Sequence, residues 1–170
     1  MNNATRILFS VMLVAGVSAC AKKAVKPAPE PAPEPVTQPQ PVVDTGRYKV
    51  GDLDTDSCLR QRVVYFDLDR TEIKPEFSAQ ITCHAEYLRQ FPNARVTLEG
   101  HADERGTREY NLGLGERRGN AVQSALSAAG ASMGQLNVVS YGEERPVDRG
   151  HDESAWSKNR RVEIVYTSAN

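Results

Sequence analysis

Proline recurs at almost every second position between residues 27 and 41, within the run KPAPEPAPEPVTQPQP. Because proline fixes φ and has no backbone N–H, this run is excluded from helix interiors and from the middle of a sheet. It favours an extended polyproline II conformation, which from 24 to 43 would reach roughly 60 Å, or it is a disordered spacer of no required length. Only the chain after this run is long enough to form an ordinary domain.

The residues before the proline run have the organisation of a secretion signal. A polar start with one cation, Arg6, precedes an apolar run over 7–17 that is too short to span a bilayer but typical of a signal peptide. It ends in VSAC (17–20), which resembles a bacterial lipobox, although an ordinary signal peptide followed by a chance cysteine would look similar. The resemblance predicts a signal peptide over 1–19 and acylation of Cys20, where several acyl chains would anchor the chain in a membrane. In such lipoproteins an aspartate after the cysteine retains the protein at the inner membrane, so Ala21 favours the outer membrane.

Composition excludes one class of partner. The formal net charge of the 170 residues is −1, which offers no basic surface for nucleic acid. Aromatic residues make up only 6% of the chain, as in a soluble domain with polar extensions. We therefore expect one folded domain over 54–170, preceded by a lipidated N-terminus and linker over 20–53.

The periodicity of the C-terminal part predicts alternating strands and helices. Strands are expected at 63–66, 95–99, 136–141 and 160–166, and helices at 75–91, 107–129 and, shorter, 152–158. The order β-α-β-α-β-β predicts an α/β two-layer sandwich, with a mixed four-stranded sheet and helices packed on one face.

Two arginines occupy positions where apolar residues are expected. Arg118 shares a stripe of the second helix with Leu114 and Val122, and a guanidinium buried without a partner is costly. It must either pair with an internal carboxylate or line a pocket and meet an external anion. Arg160 has the parity of Val162 on the last strand, so it either faces a pocket or lies at the mouth of the strand in water.

Two aspartates follow predicted strands. Asp69 comes after the first strand and Asp103 after the second, on loops of the kind where binding groups concentrate. Arginine binds a carboxylate through two parallel contacts, and aspartate accepts from an ammonium. A site that combines both residue types suits a zwitterion.

A metal site and an enzyme are the alternatives to a binding pocket. No two of His84, His101 and His151 stand at ligand spacing, and no cysteine pair does. His101, Asp103 and Glu104 could serve as acid–base groups, but no nucleophile motif accompanies them. We therefore expect no metal, no cofactor and no catalytic residue, and we expect His101 to support the Asp103 loop.

Cys58 and Cys83 remain once Cys20 is assigned to lipid. In an oxidising compartment, two such cysteines indicate a disulfide. Cys83 lies off the apolar stripe of the first helix, where it could meet a segment carrying Cys58.

Several separated motifs resemble those of OmpA-like peptidoglycan-binding domains. They are GHADERGTREYNLGLGERR (100–118), with its spacing Asn111-x-x-Leu114-x-x-x-Arg118, and VVSYGEERP (138–146), GHDE (150–153) and KNRRVE (158–163). The resemblance covers 62–166. It implies recognition of diaminopimelate, a residue of the peptidoglycan stem peptide that carries a carboxylate and an amine on one carbon.

The resemblance also assigns roles to individual residues. It implies that Asp103 takes the ammonium and Arg118 the carboxylate, while polar contacts come from Asp69 and Arg160. The wall of the pocket would be formed by Thr107 and Leu114. Leu68 stands where the family often has an aromatic residue, so a stacking contact there is in doubt, and Gly119 stands where alanine is common, which could loosen the helix.

Together with the lipobox and the linker, the resemblance implies an outer-membrane lipoprotein that faces the periplasm. It would tether the outer membrane to the cell wall and support envelope integrity and constriction during cell division. Peptidoglycan, TolB and other Tol proteins are its implied partners.

Overall fold

Four short runs of alternating residues form one mixed sheet in the computed structural model, which describes residues 46–170. The predicted signal peptide, Cys20 and the proline run lie outside the described residues. The strands are β1 (Val63–Tyr65), β2 (Arg95–His101), β3 (Leu136–Gly142) and β4 (Arg161–Ser168), in the order β1-β4-β2-β3. β2 and β3 are parallel, and β4 is antiparallel to both β1 and β2. The predicted mixed four-stranded sheet is confirmed.

Three α-helices connect the strands. They are α1 (Ser78–Gln90), which follows a 3-10 turn at Pro75–Phe77, α2 (Arg108–Ala128) and α3 (Glu153–Asn159). The side chain of Thr107 caps α2 by accepting from the Tyr110 N–H at 3.2 Å, and Gly130, with φ +108°, follows its last turn. No helix within 46–170 is long and apolar enough to cross a membrane.

The core lies between the helices and one face of the sheet. Alternate residues of the two central strands point into it, among them Leu98 and Ile164, and they meet Leu88 of α1 and Val122 of α2 in one buried cluster. The alternation of strand residues and the i, i+4 spacing of helix residues that predicted these elements also place their apolar side chains on a common interface.

The packed region begins upstream of Asp54, the position where the sequence predicted order to start. Tyr48 and Leu53 are buried in the core, and a disulfide joins Cys58 to Cys83 of α1. The sequence gives little sign of this segment because it consists of turns with no helical or strand periodicity. A cross-link that closes a loop of 25 residues contributes about 3 kcal/mol to stability.

Glycines bring α2 unusually close to the sheet. A Cβ added to Gly115 would lie 2.8 Å from the carbonyl oxygen of Gly100 in β2, and one added to Gly100 would overlap the backbone of Gly115. Gly119, which was expected to loosen the helix, is buried, and a Cβ there would press on Val138 of β3. Arg118 lies between Gly115 and Gly119. The close approach of the helix therefore places its guanidinium next to the end of β2, where it bonds to the His101 carbonyl.

Candidate functional site

A cavity of about 300 Å³ lies where β2 ends and α2 begins. Its lining comprises Leu68, Asp69, Asp103, Arg105, Gly106, Tyr110, Asn111, Leu114, Arg118 and Arg160. Six of the seven residues that the sequence assigned to a binding pocket therefore come together. The seventh, Thr107, is not part of the lining, because its side chain caps α2.

Arg118 is completely buried. Its guanidinium donates three hydrogen bonds, all to main-chain carbonyls: from Nε to Arg70 at 2.9 Å, from Nη1 to His101 at 2.9 Å and from Nη2 to Asp67 at 3.0 Å. Among residues 46–170, no carboxylate lies within 4.0 Å of its nitrogens. Burial lowers the pKa of Arg118 to about 10, so the side chain remains charged at neutral pH. Of the two alternatives for Arg118, an internal ion pair is excluded within residues 46–170.

The same arginine fixes the loop that follows β1. Its bonds to the carbonyls of Asp67 and Arg70 span the two residues between them, Leu68 and Asp69. Asp69 has φ +56°, a conformation that aspartate tolerates better than most residues, and its carboxylate accepts from the Tyr110 hydroxyl. Leu68 remains exposed at the edge of the cavity.

Asp103 is buried opposite, and two arginines surround its carboxylate. Arg105 donates from Nε to Oδ1 at 3.1 Å and from Nη2 to Oδ2 at 2.7 Å, and its backbone N–H donates to Oδ1 at 3.1 Å. Arg160 donates from Nη1 to Oδ2 at 3.2 Å. Burial alone would raise the pKa of Asp103, but the hydrogen bonds from Arg105 and Arg160 outweigh it and hold this pKa below its ordinary value. Asp103 is therefore an anion at neutral pH.

Arg160 immediately precedes β4, and its guanidinium donates hydrogen bonds to three different residues. Besides Asp103, it donates from Nε to the Phe66 carbonyl at 3.1 Å and from Nη2 to the Glu153 carboxylate. It is 5% exposed, which excludes a position in open water at the mouth of the strand.

Four cavity residues were not assigned from the sequence: Arg105, Gly106, Tyr110 and Asn111. Asn111 is buried and donates from Nδ2 to the Asp103 carbonyl at 3.0 Å and to the carboxylate of Glu143. A polar residue at its place on the buried stripe of α2 is a signal of the kind that identified Arg118. Arg105 could not be identified in this way, because it lies in a polar loop followed by a glycine. In the sequence it cannot be distinguished from an ordinary solvent-exposed charge.

His101 does not support the Asp103 loop as expected. Its ring is buried and stacks on Tyr141 with a centroid distance of 5.6 Å, and neither ring nitrogen has a hydrogen-bond partner among the described residues. Burial lowers the pKa of His101 to about 4. The described residues contain no group of three or more His, Cys, Asp or Glu side chains that could hold a metal ion.

A second cavity, of about 390 Å³, has Ala102, Glu104 and Glu143 in its lining. Two of its charged side chains are already paired: Glu104 contacts His151 at 2.8 Å and accepts from Trp156 Nε1 at 2.8 Å, and Asp148 contacts Lys158 at 2.7 Å. The buried charge of Arg118, which has no ion-pair partner among residues 46–170, distinguishes the first cavity as the candidate ligand site.

Comparisons with known proteins agree with this architecture. A family model described as the OmpA family matches residues 65–160. The peptidoglycan-associated lipoprotein of Pseudomonas aeruginosa is 51% identical over 115 residues, which cover 67% of this chain and 68% of the relative. That of Haemophilus influenzae is 47% identical over 121 residues, which cover 71% and 76%.

Solved structures show the same fold. The crystal structure of the peptidoglycan-associated lipoprotein from Burkholderia pseudomallei aligns with a TM-score of 0.66 and 44% identity, covering 68% of this chain and 98% of that one. The C-terminal domain of Helicobacter pylori MotB aligns with a TM-score of 0.58 at 22% identity, covering 62% and 84%, and shows the fold alone. The chain therefore belongs to the OmpA family and, within it, to the peptidoglycan-associated lipoproteins.

Proposed function

We propose that this protein binds peptidoglycan non-covalently, by holding the diaminopimelate of a stem peptide in the cavity between Asp103 and Arg118. The observation that carries the proposal is the buried cation of Arg118, which faces a cavity and has no carboxylate partner among residues 46–170. An external carboxylate would complete its coordination.

Arg118 still has N–H groups that could donate hydrogen bonds to that carboxylate. A guanidinium has five N–H groups, and three of them bond to carbonyls, so one on Nη1 and one on Nη2 remain. Two such donors on one planar group suit a bidentate contact with a carboxylate. The amine on the same carbon would then be drawn to the nearby anions, Asp103 and Asp69.

The relatives' names support the wider role. Proteins called peptidoglycan-associated lipoproteins share about half of their residues with this chain in the aligned region. Together with the lipobox at Cys20 and Ala21 after it, this supports an outer-membrane lipoprotein that faces the periplasm and tethers that membrane to the wall. The proline run would hold the domain away from the membrane.

By family resemblance, we further propose TolB and other Tol proteins as partners, in support of envelope integrity and constriction during cell division. Competition tests whether TolB uses the same surface. If it does, adding TolB will release the protein from purified wall in proportion to the TolB bound.

Sedimentation with purified peptidoglycan tests the binding site. Asp103→Asn keeps the size of the side chain but removes its charge, and we expect the dissociation constant for the wall to rise at least tenfold, since a hydrogen bond to a charged group is worth about 1.5–3 kcal/mol. Arg89→Ala is the control, because Arg89 is exposed in the last turn of α1, outside the cavity lining, and should bind like wild type. Equal sedimentation of wild type and Asp103→Asn, with unchanged circular dichroism, would reject the site.

The same incubation separates binding from hydrolysis. We expect the wall to remain insoluble, because the proposed contacts hold the ligand and break no bond. Soluble muropeptides released by the wild-type protein would show that it is an enzyme.

A further inference from the structure

The Arg105 side chain occupies the positions on Asp103 that a ligand's ammonium needs. A carboxylate offers about four acceptor positions, and four N–H groups fill those of Asp103. Three come from Arg105, through its backbone N–H, Nε and Nη2, and the fourth is Nη1 of Arg160. We propose that Arg105 is an internal stand-in for the ligand's cation, and that binding proceeds by exchange of its guanidinium for the ligand's ammonium. This inference rests on the proposed function.

Of the two arginines, only Arg105 is free to leave. The side chain of Arg160 is 6% exposed and is also bonded to the Phe66 carbonyl and to Glu153. The side chain of Arg105 is 32% exposed, and both its Nε and its Nη2 contact Asp103. Its departure would free one acceptor position on Oδ1 and one on Oδ2, while the backbone N–H and Arg160 would still hold the carboxylate in place.

The displaced guanidinium already has other partners. It lies 4.1 Å from the centre of the Trp156 ring, and its Nη2 is 3.5 Å from the Glu153 carboxylate. The indole is itself fixed by its hydrogen bond to Glu104. Arg105 can therefore move towards Glu153 and stay stacked on Trp156. Its guanidinium would keep an ion-pair partner after it leaves Asp103.

Exchange makes the site selective for ligands that carry both charges. A neutral group cannot replace a guanidinium on a buried anion, because it would leave the Asp103 charge under-coordinated. An ammonium can replace it, and its neighbouring carboxylate gains Arg118 at the same time. The internal competitor lowers the affinity for every ligand, so removing it should tighten binding of the correct one.

The test is a titration of the full chain with the tripeptide L-Ala–γ-D-Glu–meso-diaminopimelate. Arg105→Met keeps an unbranched apolar stem against Trp156 but removes the guanidinium, and we expect it to bind about three- to tenfold more tightly than wild type. Arg105→Lys, which can fill one of the two vacated positions, should fall between them. Arg108→Met is the matched control: it removes an exposed arginine that is paired with Glu144 outside the cavity, and should leave the dissociation constant unchanged.

The sole tryptophan provides a second readout that a purely structural role of Arg105 would not produce. Because Arg105 stacks on Trp156, its movement should change the tryptophan emission when the wild type binds the tripeptide, and this change should be absent in Arg105→Met. Weaker or unchanged binding by Arg105→Met and Arg105→Lys, alongside a wild type that binds, would overturn the exchange and leave the proposed function standing. Failure of the wild type to bind the tripeptide would overturn both.

Discussion

Arg118 is a buried cation in a fold that gives it carbonyl oxygens but no ion-paired carboxylate within residues 46–170. Burial of a charge is tolerated when its donors are satisfied, and three carbonyls satisfy part of the guanidinium. Arg118 therefore holds the loop that carries Asp69, and it also lines the cavity. Removing the arginine would affect stability as well as binding, so changing the ligand tests its binding role more cleanly than changing Arg118.

Two buried histidines, His84 and His101, should make the stability of the folded protein sensitive to acid. The His84 ring contacts the Gln61 carbonyl and the Tyr166 hydroxyl at 3.0 Å each, and burial lowers the pKa of both His84 and His101 to about 4. The ordinary value is near 6.5, so the folded state binds fewer protons than the unfolded state between these values. The stability contributed by the neutral rings is present above pH 6.5 and is lost as pH falls from 6.5 towards 4.

Denaturant unfolding at pH 7 and pH 5 measures this effect. We expect the free energy of unfolding to fall by about 1–2 kcal/mol per histidine between the two values. His151 opposes the trend, because its hydrogen bond to Glu104 raises its pKa, but it is exposed and should contribute little. His101→Phe should remove about half of the loss, since the ring of His101 has no hydrogen bond among the described residues to forfeit. An identical pH dependence in wild type and variant would contradict this account.

At the scale of elements, the position of α2 on β2 decides the geometry of the site. The helix supplies Arg118, Leu114 and Asn111 to the cavity, and Gly100 and Gly115 allow it to approach the strand backbone. A side chain at this contact would push the N-terminal half of α2 away from the end of β2, and Arg118 would move with it.

Two glycines two residues apart in α2 test this contact. Gly115→Ala places a methyl group against the Gly100 backbone and should lower the free energy of unfolding by about 1–3 kcal/mol. Gly113→Ala meets only the flexible end of Arg117, so its higher helix propensity should leave stability unchanged or raise it by up to about 1 kcal/mol. Urea unfolding of both variants makes the comparison, and equal effects would show that the close approach is unimportant.

The sequence predicted the longer elements well because their residues keep a helical or a strand period over many positions. The same periodicity identified Arg118 and Arg160, since a charge on an apolar face is conspicuous. It could not identify Arg105, whose role depends on a tertiary contact with Asp103, nor Tyr48, an isolated aromatic in a segment of turns. Thr107 was assigned to the wall by resemblance, whereas local backbone geometry makes it the cap of α2.

For the molecule as a whole, the first described residues, around Tyr48, do not lie at the end of the sheet that carries the cavity. Tyr48 pairs through its backbone N–H with the Gln90 side chain at the end of α1, shortly before β2 begins at Arg95. The cavity lies at the other end of β2, a strand about 20 Å long at roughly 3.3 Å per residue. The segment around Tyr48 and the candidate ligand site therefore lie towards opposite ends of β2.

We propose that Arg118 recognises the carboxylate which distinguishes diaminopimelate from lysine. The most direct measurement is calorimetric titration of the wild-type protein with two stem tripeptides, identical except that one ends in meso-diaminopimelate and the other in L-lysine. Lysine keeps the side-chain amine and lacks only that carboxylate. We expect the diaminopimelate peptide to bind about 10- to 100-fold more tightly, because the lysine peptide loses a charge-assisted contact. Equal affinity for the two peptides would contradict it.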